Sequence, residues 1–63
     1  MPLIHVEWFP RPNEKKAEFA RAITCVCEDV LGANPEDVEI LFADLNPANW
    51  FVGGQSYASP PDD

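Results

Sequence analysis

Long hydrophobic runs are missing from this 63-residue chain. Its apolar stretches are only a few residues each, far short of the ~20 residues of a membrane-spanning helix, and no secretory leader stands out. Basic residues are scarce: four Lys and Arg stand against 11 Asp and Glu, giving a net charge of −7. A nucleic-acid ligand needs a basic face to meet its phosphates, so that class of partner is excluded. Cysteine is limited to Cys25 and Cys27, two apart within a helical stretch. On a helix they project to nearly opposite sides and cannot bridge each other. With His5 as the single histidine and no paired CxxC, zinc-type spacing is also absent, and neither a metal nor another cofactor is expected. Two unpaired thiols fit a reducing, cytoplasmic setting.

These absences leave a problem of size. Hydrophobic residues make up 46% of the chain, too many for a disordered segment. A domain this short nevertheless buries only about 60% of the surface that its unfolded chain exposes. Small domains usually add disulfides, a metal or partner subunits. With the first two set aside, oligomerisation is the natural way to complete a core in a single domain over residues 1–63, whose polar, proline-rich end, 58–63, is expected to be a flexible tail.

What is present has a clear order. From Leu3 to Phe9 a wholly apolar set, Ile4, Val6 and Trp8, alternates with the mixed set Leu3, His5, Glu7 and Phe9, as in a strand with one well-buried face. Pro10 and Pro12 end it, since neither can donate to a ladder. Asn13 is a good N-cap and Glu14 suits a first helical turn. Phe19, Ile23, Val26 and Val30 then keep helical spacing as far as Leu31, and Gly32 is the expected C-terminal stop. Residues 34–37, Asn-Pro-Glu-Asp, read as a turn or a single turn of 3₁₀ helix. Val38 to Leu45 reads as a second strand, apolar on both faces except at Glu39 and Asp44, which suggests a central position. A long helical crossover between the strands implies a parallel β-α-β unit. Gly53-Gly54, within Trp50 to Tyr57, predicts a short C-terminal β-hairpin. The fold class is therefore α+β. One helix leaves one face of the sheet open, and two units side by side would make a four-stranded sheet carrying two helices.

Pro2 directly follows Met1. Removal of Met1 would expose a secondary amine, a base that no internal proline can supply because an internal proline nitrogen is an amide. Pro2, the arginine before the helix (Arg11), the run Asn13-Glu14-Lys15-Lys16 and the Thr24 region come first. Asn34-Pro35, Val38 and the segment Trp50-Phe51-Val52-Gly53-Gly54 follow in the order and spacing of one family. Over nearly its whole length the chain resembles the 4-oxalocrotonate tautomerases of the tautomerase superfamily. The run Phe9-Pro10-Arg11 also resembles bacterial members that act on aromatic enol-pyruvates. The resemblance implies a β-α-β unit plus a hairpin, assembly as a homohexamer (a trimer of dimers) or a dimer, and active sites built at subunit contacts.

It also implies keto–enol tautomerisation of a small enol or keto carboxylate, with Pro2 as general acid–base. Such a base must be neutral near pH 7, and an α-amine, at about 8, is closer to that than a lysine at about 10.4. Apolar walls and a nearby cation both disfavour a protonated amine. Trp8, Phe9 and Trp50, with Phe51, are candidates for the walls. Trp50 falls at the family's aromatic pocket position, where phenylalanine is common. Arg11 is the candidate clamp, its planar fork able to hold a carboxylate through two hydrogen bonds. Glu39 departs from the pattern, because many relatives carry a second arginine there that serves a dicarboxylic substrate. A monocarboxylate or an aromatic enolpyruvate is therefore expected over 2-hydroxymuconate. The alternatives are a hydratase, dehalogenase or decarboxylase activity of the superfamily, and a non-catalytic or hetero-oligomer-dependent member that binds a small acid.

Overall fold

A computed structural model describes residues 1–58. The proline-rich end read from the sequence as a tail falls almost wholly outside the described residues. Strand β1, Leu3–Trp8, is followed by helix α1, Asn13–Leu31, and by a 3₁₀ turn, Pro35–Asp37. Strand β2 spans Glu39–Asp44, a second 3₁₀ turn spans Pro47–Asn49, and a hairpin of β3, Phe51–Val52, and β4, Gln55–Ser56, follows. β1 and β2 pair in parallel, from Leu3 opposite Glu39 to Trp8 opposite Asp44. The parallel pair and the long helical crossover are those expected from the alternation of the sequence.

The start of α1 differs from expectation. Asn13 is the first helical residue rather than the N-cap, and Pro12 takes the capping position with no side-chain hydrogen bond. The proline ring sets φ at −59°, and the Pro12 carbonyl accepts from the Lys15 and Lys16 N–H groups at 3.0 and 3.1 Å. A proline needs no partner for the N–H it lacks, so the chain turns into the helix one residue early. The end is as expected: Gly32 adopts φ +71°, and its N–H donates to the Glu28 carbonyl at 3.2 Å. At the hairpin turn Gly53 and Gly54 both have positive φ, +60° and +83°. Two such residues match the right-handed twist of the flanking strands, and residues with side chains rarely tolerate the pair.

The helix covers one face of the two-stranded ladder. Ile4 and Val6 of β1 and Ile40 and Phe42 of β2 are half-buried on that face, and Phe19 of α1 meets Phe42 edge to face at 5.7 Å. The opposite face is open, with Leu41 55% exposed and Leu3 alongside it. β2 is therefore an edge strand with one covered face in the single chain, where its two-sided apolar pattern suggested a central place. Among the described residues only Cys27 is buried, and none is fully shielded from solvent. Val26, Val30, Leu31, Phe51 and Val52 remain exposed, more apolar surface than a chain of this size can cover by itself. Among the described residues no helix is long and apolar enough to cross a membrane.

Candidate functional site

The predicted site residues fall at the two ends of β1. Pro2 precedes the strand and is half-buried, its carbonyl accepting the Glu39 N–H at 2.9 Å. Glu39 opens β2 opposite Leu3, so an acidic residue lies one register step from Pro2. The ladder that holds Pro2 in place is thus the same one that brings Glu39 beside it.

Arg11 lies at the other end. Its guanidinium carbon stands 3.9 Å from the centre of the Trp8 ring, and its Nη1 donates to the Pro10 carbonyl at 2.8 Å. A guanidinium over an aromatic face is attracted by the ring's quadrupole, and a planar group so placed keeps its outer N–H edge free for an anion. Among the described residues the ion pairs are His5–Glu7, Lys15–Glu18 and Lys16–Asp44, and Arg11 takes part in none of them. Pro10 and Pro12 on either side stiffen the loop that presents it.

The residue after Trp8, Phe9, belongs to an aromatic triangle. Phe9, Trp50 and Tyr57 meet edge to face, with centroids 5.3 Å apart for Phe9–Trp50, 5.7 Å for Phe9–Tyr57 and 5.5 Å for Trp50–Tyr57. The hairpin creates it: the Tyr57 N–H donates to the Trp50 carbonyl at 2.9 Å, one step beyond the Phe51–Ser56 pair. Tyr57 was not among the residues singled out from the sequence. A signal for it existed, because a hairpin centred on Gly53-Gly54 places residue 57 opposite residue 50.

Arg11 also borders a groove of about 410 Å³ between α1 and the strands, lined by Val6, Trp8, Lys15, Lys16, Phe19 and Phe42 as well. Pro2 does not line it. The six residues of β1 separate Pro2 from Arg11, and at about 3.3 Å per residue that is on the order of 20 Å. The structure thus brings together Trp8 with Arg11, and Phe9 with Trp50, but not Pro2 with any of them. No group of three or more His, Cys, Asp or Glu side chains that could hold a metal occurs among the described residues.

Comparison with known proteins gives this geometry a context. Residues 2–59 match the sequence model of a family described as tautomerase enzyme. The fold is similar to that of TomN, a 4-oxalocrotonate tautomerase homologue in the tomaymycin biosynthetic pathway, at 34% identity. The match covers 90% of this chain and 89% of that one, with a TM-score of 0.82. A heterohexamer 4-oxalocrotonate tautomerase from Chloroflexus aurantiacus J-10-fl is 30% identical over 92% of this chain and 95% of that one, with a TM-score of 0.81. DmpI from Archaeoglobus fulgidus is 28% identical over 92% of this chain and all of that one, with a TM-score of 0.82.

Proposed function

The chain belongs to the tautomerase family, and from that premise we propose that it is a keto–enol tautomerase whose active site joins Pro2 of one subunit to Arg11 of another. The observation that carries the reading is the placement of the two residues at opposite ends of β1, a strand with only one paired edge among the described residues. An antiparallel pairing of two β1 strands about a two-fold axis would set the start of each beside the end of the other. Pro2 would then face the Arg11–Trp8 stack and the Phe9–Trp50–Tyr57 triangle of its neighbour. The same pairing would extend each two-stranded ladder to four strands. Further copies on the open face would cover Leu3 and Leu41.

The chemistry follows from the two groups. With Met1 removed, the Pro2 amine takes the proton from an enol hydroxyl as the C=O bond forms. The resulting ammonium delivers a proton to the carbon that was the far end of the enol, and the amine ends neutral, as it began. Arg11 binds the carboxylate beside the reacting carbonyl and stabilises the negative charge that develops on oxygen. The aromatic triangle keeps water from the amine and so favours its uncharged form.

Glu39, one step from Pro2, would repel a second carboxylate near the amine, so the preferred substrate is a monocarboxylate or an aromatic enolpyruvate. A second reading is that the chain depends on a different subunit to supply the missing cation. It is favoured by Glu39 itself and by the heterohexameric assembly of the relative from Chloroflexus aurantiacus.

An ultraviolet ketonisation assay on protein whose mass shows loss of Met1 tests the proposal, with phenylenolpyruvate and 2-hydroxymuconate compared side by side. Turnover of the first well above the second is expected. Silence on both would reject the homomeric tautomerase and turn attention to a partner subunit.

A further inference from the structure

Within a chain of net charge −7, three of the four Lys and Arg residues, Arg11, Lys15 and Lys16, line one groove between α1 and the strands. Its apolar lining is Val6, Trp8, Phe19 and Phe42. The volume, about 410 Å³, lies in the usual range of small-molecule sites, roughly 300–1,000 Å³. Trp8 and Phe19 stay 49% and 40% exposed at its margin, so the lining has apolar surface left to cover.

The three cations are not equivalent. Lys16 is only 20% exposed, and its ammonium lies 2.9 Å from each carboxylate oxygen of Asp44, which neutralises it from within the protein. Lys15 pairs with Glu18 at 3.6 Å, but both side chains are about two-thirds exposed, and such a pair is readily exchanged for another anion. Arg11 has spent one nitrogen on the Pro10 carbonyl and keeps the rest of its fork. The rim therefore offers two usable positive charges four residues apart, and the interior is apolar with its one cation already paired. An anion is favoured at the rim. A second carboxylate carried inward would lose its water without finding a free partner.

We propose that this groove binds an aromatic monoacid, its carboxylate held between Arg11 and Lys15 and its ring laid against Trp8, Phe19 and Phe42. The inference deepens the tautomerase reading, on which it rests for the place of Arg11 in the reaction. It adds Lys15 as a second contact to the carboxylate and assigns the substrate's non-reacting ring to the groove.

The test is an equilibrium one, so that it does not depend on turnover. Tryptophan fluorescence of the wild-type protein is followed as 3-phenylpropionate or adipate is added. Saturable quenching by the aromatic monoacid and none by the aliphatic diacid over the same range is expected. Lys15→Ala, an exposed substitution that leaves the packing alone, should weaken 3-phenylpropionate about twofold to fivefold. Phe19→Ala, which removes an apolar wall, should weaken it about tenfold. Equal binding of the two acids, or a Lys15→Ala affinity equal to wild type, overturns the proposal. So does a groove filled by a second copy, which would appear as no binding together with a shift in sedimentation for Phe19→Ala. A wild-type protein that binds this acid yet turns over no enol rejects the tautomerase reading and leaves the groove. Turnover that depends on Pro2 but is indifferent to Lys15 and Phe19 rejects the groove and leaves the tautomerase.

Discussion

The two ends of β1 have opposite chemistry. At the start are Pro2 and Glu39, joined by the backbone hydrogen bond from the Glu39 N–H to the Pro2 carbonyl. At the other end are a guanidinium stacked on Trp8 and outside the ion pairs of the described residues, a triangle of three further rings, and the Leu45 N–H bonded to the Trp8 carbonyl at 2.8 Å. On the proposed tautomerase reading, Pro2 at one end and Arg11 at the other would each supply half of an acid–base site. A strand on the order of 20 Å long keeps the halves of one chain apart. On the reading proposed above, the difference teaches that the catalytic unit would be larger than the single chain.

The largest expected effect comes from breaking each half separately. Pro2→Ala and Arg11→Ala should each lower kcat/KM by about 10²-fold or more, because one removes the acid–base and the other the carboxylate clamp. Co-expressing the two variants is the sharper experiment. If each site takes Pro2 from one chain and Arg11 from its two-fold mate, random pairing restores about a quarter of the sites, since half of the dimers are mixed and each mixed dimer has one intact site. A mixture no more active than the single variants would show that both residues must come from one chain.

Arg11→Lys tests what the far end contributes beyond charge. A lysine keeps the positive charge but loses the planar fork and the flat contact with Trp8. A loss of about tenfold, mostly in KM, is expected, as for one charge-assisted hydrogen bond removed. Glu39→Gln tests the near end. Removing that charge beside Pro2 should raise kcat/KM for 2-hydroxymuconate relative to phenylenolpyruvate by about threefold to tenfold, the effect of one partly screened charge at close range. An unchanged ratio would separate Glu39 from substrate choice.

Much of this was legible in the sequence, for reasons tied to particular residues. The alternation of Ile4, Val6 and Trp8 gave a strand with one covered face, and Gly32 and Gly53-Gly54 marked positions where the chain needs positive φ. Asn13 misled, because its side-chain preference for the capping place was outweighed by the fixed φ of Pro12. The pattern around Leu41 reads as burial that one chain does not provide, and the strand it writes as central is an edge here. Phe19 and Phe42 read as core by spacing alone. Spacing gives the face of an element but not its distance from the next one, so the groove between them could not be read in advance.

The smallest expected effect concerns the bolt that keeps the far end in register. Lys16 in the first turns of α1 grips Asp44, the last residue of β2, and Asp44 is paired with Trp8 across the ladder. One ion pair therefore ties the helix that follows the Arg11 loop to the strand beneath it. Asp44 is about half exposed, so much of its charge is answered by water, and Asp44→Asn should cost at most ~1 kcal/mol of stability. Denaturant unfolding at low and high salt would read this, with the difference between wild type and variant shrinking as salt rises. The substitution also frees the Lys16 ammonium at the inner side of the groove. An aliphatic diacid rejected by the wild type should then gain affinity, while Pro2 and Glu39 at the near end are untouched. A variant that loses stability without that gain would show that Asp44 holds the helix but does not set the charge of the groove.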